Sequence, residues 1–271
     1  MPDPYATIAD AELSLQQRLS EVLELRASDP QQRAMLRAYL SEVELGRGAK
    51  VLEIGCGTGA VSRALVEWRN FEATGVDLSP VFVARARELG RSLPGLTFLQ
   101  GDARSLSLPD ASFDLVVFHT TLCHIPNPEL ALREAHRVLR PHGWLAVFDG
   151  DYTTTTVAIR AFDPLQMLVD AMVANFVHDP WLARRLAKAL ASTGFQVKSF
   201  RSHGYTQTTE PAYLLTLIDR GADLLSSAGV LSAETADAFR NEARRRVRAG
   251  EFFGHISFVS VIARKADPSA R

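Results

Sequence analysis

Short apolar runs alternate with amphipathic segments between residues 50 and 148. The apolar runs predict five strands, at residues 50–54, 72–76, 96–100, 115–119 and 144–148. The amphipathic segments between them predict helices, at residues 61–68, 81–90 and 129–139. Because the strand runs are continuously apolar rather than alternating, we expect both faces of the sheet to be covered. Strands that alternate with helices predict a doubly wound α/β domain.

The periodicity changes on both sides of this region. Upstream, residues 10–27 place leucines at mostly helical spacing, and Asp29-Pro30 provides the N-cap and first residue of a second helix. Downstream, the pattern predicts helices at residues 162–177, 181–192, 210–225 and 232–250, and strands at 194–200 and 254–266. We therefore predict an N-terminal helical cap, residues 1–48, and an α/β domain, residues 49–271, with a helical insert at 208–250. The final residues, 267–271, are expected to fray.

The composition is typical of a cytoplasmic protein. The 271 residues are 46% hydrophobic and the net charge is −1, so no overall field would draw the chain to nucleic acid or to an anionic membrane. The N-terminus has neither the basic nor the apolar region of a signal peptide, and no apolar run approaches the length of a membrane span. The two cysteines, Cys56 and Cys123, both lie in apolar surroundings, which favours a reduced protein.

The segment VLEIGCGTGAVSRAL places three glycines in five positions, between a predicted strand and a predicted helix. Such a turn brings the backbone against a ligand, and Gly55-x-Gly57-x-x-Ala60 also satisfies the dinucleotide fingerprint. Glu53 argues for another ligand, because its carboxylate would repel a pyrophosphate and attract a cation. S-adenosylmethionine carries an ammonium and a sulfonium, and its carboxylate can face the positive helix N-terminus. The alternative is that Glu53 only hydrogen-bonds the turn.

Two further acidic residues follow the next two strands. Asp77 ends the second strand about 20 residues after the glycine turn, where a carboxylate can accept both hydroxyls of a ribose. Leu78 would then lie against the adenine. Asp102 follows the third strand, where it can accept the adenine amino group while the Ala103 amide meets a ring nitrogen. The alternatives are purely structural roles: a strand-end cap for Asp77 and an ordinary Gly-Asp turn at Asp102.

The segments VLEIGCGTG, GVDLSP, GDARSLSLPDASFDLVV and EAHRVLRPHGWLAVFD occur in this order within residues 50–151. In this order they resemble the class I S-adenosylmethionine-dependent methyltransferases. The resemblance is closest to the branch that contains the ubiquinone/menaquinone C-methyltransferases and many small-molecule methyltransferases. One departure is His142, which stands where the family usually has the first Gly of a Leu-Arg-Pro-Gly-Gly turn. Histidine tolerates left-handed geometry better than most residues, so we expect the turn to form.

The resemblance implies a Rossmann-like sheet of seven strands, with the last strand antiparallel beside the fifth and with a helical lid. It also implies S-adenosylmethionine as cofactor and S-adenosylhomocysteine as product. Carried over by position, Glu53, Gly55, Cys56 and Gly57 would line the methionine part, Asp77 the ribose, and Leu78, Asp102 and Ala103 the adenine. His119, at the end of the fourth strand, would lie near the methionine amino group. Arg33, on an N-terminal helix, is the candidate for the cofactor carboxylate, with ordinary surface placement as the alternative.

Methyl transfer is an in-line displacement in which positioning and desolvation supply much of the rate. A general base is needed only when the acceptor is protonated. His124 is the main candidate for a base, with His119 as another, and Asp149 and Asp151 follow the fifth strand where ligands of such sheets bind. His124 and at least one of the carboxylates can equally hydrogen-bond their loops. We expect no metal site, because two carboxylates without further ligands are a poor site and neither cysteine completes a ligand spacing.

The sequence thus predicts methyl transfer to a small organic molecule by a monomer or homodimer, with the acceptor atom (O, N or C) left open. An RNA or protein methyltransferase is one alternative, and a cyclisation or rearrangement with the same bound cofactor is another. A nicotinamide oxidoreductase is the least favoured. The basic segment RNEARRRVRAG in the insert has two interpretations, a solvated helix face or a contact for a phosphate-bearing substrate.

Overall fold

Seven strands form one mixed sheet, and the computed structural model describes them within residues 3–266. The strands are β1 (Lys50–Ile54), β2 (Glu72–Asp77), β3 (Leu96–Gln100), β4 (Phe113–His119), β5 (Leu139–Thr156), β6 (Phe195–Gln207) and β7 (Gly254–Lys265). Their order is β3-β2-β1-β4-β5-β7-β6, with β7 antiparallel to both of its neighbours and the other pairs parallel. The predicted Rossmann-like sheet is confirmed. Residues 267–271, expected to fray, lie outside the described residues.

Nine helices of the described chain flank this sheet. They are α1 (Leu13–Ser28), α2 (Pro30–Leu40), α3 (Ala60–Arg69), α4 (Pro80–Gly90), α5 (Pro128–Val138), α6 (Pro164–Phe176), α7 (Leu182–Ser192), α8 (Ala212–Ser227) and α9 (Ala233–Ala249). Helices α2, α4 and α6 each begin with proline after a capping side chain, that of Asp29, Ser79 or Asp163. Within residues 3–266, no helix combines the length and the apolar character that a bilayer crossing requires.

The strand β5 departs most from the sequence-based expectation. The apolar run predicted residues 144–148, whereas the strand runs from Leu139 to Thr156. Its polar second half is held by antiparallel pairing with β7, in which Asp149 lies opposite Val259 and Asp151 opposite Ser257. Pairing to a strand that arrives from the far end of the chain leaves no mark in the local pattern. Just before the apolar run, His142 adopts φ +60°, the left-handed geometry expected of it.

Helices α6, α8 and α9 pack into a layer beside the sheet. Gly221 of α8 meets the backbone of α6 so closely that a Cβ atom there would lie 1.8 Å from the carbonyl oxygen of Leu168. Arg246 of α9 forms a buried ion pair with Asp163, in which Nη1 and Oδ2 are 2.6 Å apart. These contacts fix α8 and α9 against the segment that opens α6. The cap boundary at residue 48 and the insert bounds 208–250 remain predictions.

Four arginines in the basic segment of α9 form ion pairs within the fold. Arg240 contacts Asp223 and Asp237, Arg244 contacts Asp219, and Arg245 contacts Glu242 and Glu251. Arg246 is taken by Asp163, as described above. The paired helix face therefore accounts for these arginines, and the phosphate interpretation loses its main support.

The contact at Gly221 yields a stability prediction. Alanine normally favours a helix interior over glycine by about 1 kcal/mol, but at this position its methyl group would collide with a carbonyl oxygen. We expect Gly221→Ala to lower the free energy of unfolding by about 1–3 kcal/mol, measured by urea denaturation. Gly46→Ala is the matched control, because a Cβ there meets nothing within 4 Å. A Gly221→Ala protein as stable as wild type would contradict the close packing of α8 on α6.

Candidate active site

A cavity of about 710 Å³ lies where β1, β2 and β4 end, beneath helices α1, α2, α6 and α8. Its volume is within the range of about 300–1,000 Å³ that small-molecule sites occupy. The carboxyl ends of parallel strands are where ligands of open α/β sheets bind. Of the residues that the sequence singled out, eleven line this cavity: Arg33, Glu53, Gly55, Cys56, Gly57, Asp77, Leu78, Asp102, Ala103, His119 and His124.

The glycine turn after β1 is shaped by its neighbours. Gly55, Gly57 and Gly59 all have positive φ, between +52° and +78°. A Cβ atom on Gly55 would lie 2.1 Å from the Thr121 side chain, and one on Gly59 would lie 2.3 Å from the Phe98 ring. Only glycine satisfies both the backbone angle and the space at these positions. The turn thereby exposes bare backbone to the cavity, as a close-fitting ligand requires.

Glu53 is a carboxylate buried under that turn. It is 3% exposed, and its Oε2 accepts hydrogen bonds from the Ser62 amide at 2.8 Å and from the Ser62 hydroxyl. Burial raises its pKa to about 8, although the bonds from Ser62 oppose the shift. At neutral pH the group therefore holds its proton, and a cation arriving in the cavity would favour loss of that proton.

Asp77 connects β2 to the glycine turn. Its Oδ2 accepts a hydrogen bond from the Gly57 amide at 2.7 Å and its Oδ1 accepts one from the Ser79 amide at 2.9 Å. Burial raises its pKa to about 6, against the effect of these amides. Each carboxylate oxygen can accept a second hydrogen bond. Asp77 can therefore hold the turn and still receive two hydroxyl groups from the cavity.

Asp102 is engaged differently from its predicted role. Its carboxylate is bound by the Arg104 guanidinium, with Nη2 and Oδ2 2.7 Å apart, and also accepts the Arg104 amide. The hydrogen bonds from Arg104 lower its pKa, so the group is ionised. An amino group in the cavity would share Asp102 with Arg104.

Arg26, which the sequence analysis did not single out, is the cavity arginine of α1. Its guanidinium donates to the Thr120 hydroxyl at the end of β4. Arg33, by contrast, is exposed and donates from Nε to the Ala27 carbonyl at 3.1 Å, although it still reaches the cavity rim. A signal for Arg26 was present in the sequence, because it continues the apolar face of α1 formed by Leu19, Val22 and Leu23. The geometry therefore favours Arg26 over Arg33 as a ligand for an anion.

His119 and His124 have different partners. His119 Nδ1 is 3.0 Å from the Tyr39 hydroxyl, and its ring stacks on Phe148. Burial and the nearby charge of Arg26 lower its pKa well below the usual value, so the ring is neutral. His124 Nδ1 is 2.6 Å from Oδ2 of Asp3, a buried carboxylate near the start of the chain. This pairing leaves Nε2 of His124 as the nitrogen available to a ligand.

Asp149 and Asp151, predicted as catalytic groups, are not among the residues that line the cavity, and their catalytic role stays a prediction. Asp149 is fully buried and accepts the Cys123 and Gly150 amides, at 3.1 and 2.9 Å. Asp151 is bound by Arg184, with Nε and Oδ2 2.8 Å apart. The extension of β5 keeps both residues inside a paired strand. Asp149 also acts on the loop after β4, whose Cys123 amide it holds next to His124.

Polar atoms without partners also point to a ligand. Within residues 3–266, three buried side-chain polar atoms have no hydrogen-bond partner: Nε2 and Oε1 of Gln32, and Nη2 of Arg220. Both side chains line the same cavity. Buried polar atoms are rarely left unpaired in folded proteins, so their concentration here is typical of a binding site. The described part of the chain contains no group of three or more His, Cys, Asp or Glu residues placed to hold a metal.

The chain is similar to known proteins over the region that contains the glycine turn. Residues 52–147 match a family described as a methyltransferase domain. The chain is 40% identical over 172 residues to a 2-methyl-6-phytyl-1,4-hydroquinone methyltransferase of Synechocystis, a match that covers 63% of this chain and 54% of that protein. It is 29% identical over 204 residues to a ubiquinone/menaquinone biosynthesis C-methyltransferase of Paraburkholderia phytofirmans, covering 74% and 79%.

Among solved structures, the chain is similar to the [4+2]-cyclase SpnF. The TM-score is 0.61 at 18% identity, and the alignment covers 98% of this chain and 97% of that one. At this identity the likeness concerns the fold alone. The chain spans about half the length of several curated relatives that it matches, with 54%, 52%, 45% and 48% of four of them covered.

The buried carboxylates predict a pH dependence of stability. Between about pH 5 and pH 8 the unfolded chain has lost the Glu53 proton that the folded protein retains, so raising the pH favours unfolding. We expect the difference in free energy of unfolding between wild type and Glu53→Gln to shift against wild type by a few kcal/mol, on the order of 1.4 per unit of pKa, over this range. Urea denaturation at several pH values, without added ligand, measures it. Parallel curves for the two proteins would show that Glu53 titrates normally.

Proposed function

We propose that the chain is a class I S-adenosylmethionine-dependent methyltransferase that transfers a methyl group from S-adenosylmethionine to a small organic molecule. The observation that supports this most is that Glu53, Asp77 and His119, from the ends of three different strands, line one cavity together with the bare backbone of the glycine turn. The matched relatives named above carry names of methyltransferases that act on quinone-type molecules.

The residues fit the proposed cofactor group by group. The Asp77 carboxylate, already fixed by two amides, would accept the ribose hydroxyls, and Leu78 and Ala103 would border the adenine. Glu53 would face the cationic end, where a positive charge lowers its raised pKa. Arg26 would bind the carboxylate, since it is the cationic side chain that reaches the end of β4 from α1. Cys56 would contribute its backbone, because its thiol is buried and its pKa is raised well above the usual value by that burial.

When bound, S-adenosylmethionine supplies an electrophilic methyl group with a good leaving group. The chain's own residues would position the acceptor and remove its proton. A carboxylate lies 2.6 Å from Nδ1 of His124, so Nε2 is the ring nitrogen that would accept a proton from a hydroxyl or activated carbon acid. Met172, Phe176 and Leu217 form apolar walls that exclude water from this region.

A small acceptor is favoured over RNA or protein. Helices α1, α6 and α8 and the residues around Tyr5 enclose the cavity, and the net charge of −1 offers no attraction to a polynucleotide. A cyclisation or rearrangement with the same cofactor would use the same contacts. Only a measurement of methyl transfer separates it from the proposed reaction.

The direct test uses S-adenosylmethionine labelled on its transferable methyl group. The protein is incubated with the cofactor and a crude cell extract, and the products are separated by size. We expect label in the small-molecule fraction, and no label above background with a Asp77→Ala protein, which loses charge-assisted hydrogen bonds of about 1.5–3 kcal/mol each.

Label in RNA or protein would instead establish a macromolecular acceptor. Repetition with quinols, phenols and carbon acids added to the extract extends the search for an acceptor. A wild-type protein that binds the cofactor and transfers no label to any of them would count against methyl transfer and favour another reaction.

The two arginines provide a second test. We expect Arg26→Gln to weaken binding of S-adenosylhomocysteine about tenfold or more, because it removes a charge-assisted hydrogen bond to the carboxylate. Arg33→Gln is the matched control and should change the affinity by less than about twofold, as expected for an exposed pair. Isothermal titration calorimetry measures both. The reverse result would restore Arg33 as the carboxylate ligand.

A further inference from the structure

Arg220, on α8, is a cation of the cavity that lacks a carboxylate partner among the described residues. Its Nη2 is buried without a hydrogen bond, and the guanidinium lies over the Phe176 ring, 5.7 Å from its centroid. Its sequence neighbour Asp219 is engaged by Arg244 at 2.8 Å. The other buried or half-buried arginines of this helical layer, Arg240, Arg244 and Arg246, all have acidic partners. Arg220 differs from them in having none within the part of the chain that the structure describes.

Two aromatic residues interact with Arg220: Phe176, whose ring lies under the guanidinium, and Tyr5, whose hydroxyl is affected by its charge. Tyr5, Tyr152, Phe176 and Tyr213 line the same cavity. Burial raises the pKa of Tyr5, and the charge of Arg220 acts on that hydroxyl in the opposite sense, which places the two groups side by side. The Tyr5 hydroxyl stays protonated and can donate. The Arg220 guanidinium and the Tyr5 hydroxyl together form a pair of hydrogen-bond donors in the cavity.

This pair stands on different elements of the fold from the contacts assigned to the cofactor. The cofactor residues stand on the strand ends and the glycine turn, and the cationic side chain there, Arg26, is bound to Thr120. Arg220 and Phe176 stand on α8 and α6, on the lid side of the cavity. An uncompensated buried donor costs about 1–3 kcal/mol, so a ligand that supplies an acceptor there gains affinity.

We propose that Arg220, with the Tyr5 hydroxyl, binds an anionic oxygen group on the methyl acceptor, and that the acceptor is an apolar, ring-containing monoanion such as an aromatic carboxylate. This inference rests on the proposed function, because it assigns the substrate class of the same cavity. A single guanidinium matches the fork of one carboxylate. A phosphate dianion would call for further cations, and Arg240, Arg244 and Arg245 of α9 are already paired with carboxylates.

The test compares two ligands of nearly the same shape, one with an anionic carboxylate and one with a neutral carboxamide. The probes are 3-hydroxy-2-naphthoate and 3-hydroxy-2-naphthamide, titrated by calorimetry into full-length protein saturated with S-adenosylhomocysteine. We expect wild type to bind the acid at least about tenfold more tightly than the amide. Arg220→Gln should bring the ratio close to one, chiefly by weakening the acid, and leave the affinity for S-adenosylhomocysteine unchanged. Arg220→Lys, which keeps the charge without the fork, should retain part of the preference.

Arg248→Gln is the matched control, since Arg248 is an exposed arginine of α9 outside the cavity, and it should keep the wild-type ratio. Thermal unfolding of each variant verifies that it is folded. Equal binding of acid and amide to wild type, failure of the acid to bind, or a preference that survives in Arg220→Gln would each overturn the inference. If wild type does not bind S-adenosylhomocysteine, the proposed function fails instead, and the acid preference is then measured on the protein alone.

Discussion

The hydrogen bond from the Gly57 amide to Asp77 is the contact on which the site depends. It joins the turn after β1 to the end of β2, and it forms only because three glycines take up left-handed angles under the Thr121 and Phe98 side chains. The same turn covers Glu53 and removes it from water. Two carboxylates are thus held in a low-dielectric place where their charge is costly until a cation and hydroxyl groups arrive. A ligand that supplies a cation and hydroxyl groups therefore lowers the free energy of these buried carboxylates when it binds.

The side of the cavity proposed for the acceptor is assembled in another way, from parts that are far apart in the chain. Asp3 brings the start of the described chain onto His124, α1 contributes Arg26, and α8 contributes Arg220. Asp149 supports this side from below, because its bond to the Cys123 amide orders the loop that carries His124. The two halves of the cavity meet at the end of β4, where Thr120 receives Arg26 and His119 receives Tyr39.

What the sequence predicted well was local. The bounds of β1 and β3 agree with the apolar runs. The residues predicted to bind the cofactor border one cavity, because motif spacing along consecutive strands determines position at a sheet edge, and their roles there stay a prediction. What it missed depends on distant pairing. β5 is longer than its apolar run because β7 returns beside it, and this pairing holds Asp149 and Asp151 inside the strand. Asp3 and Arg220 carry no local signature, since their significance comes from partners found, or not found, in three dimensions. Arg26 does carry a local signal, because it continues the apolar face of α1.

The cavity is formed by main chain on one side and by separate side chains on the other. The cofactor half is defined largely by backbone atoms and by glycines that tolerate no Cβ, so single substitutions there damage it. The half beneath α6 and α8 is a set of separate side chains, among them Met172, Phe176, Leu217 and Arg220. Each stands on a helix that is held by contacts elsewhere. Under the proposed function, natural drift or directed evolution can therefore exchange these residues one at a time and change which acceptor binds, while the half that would hold the methyl donor is inherited unaltered.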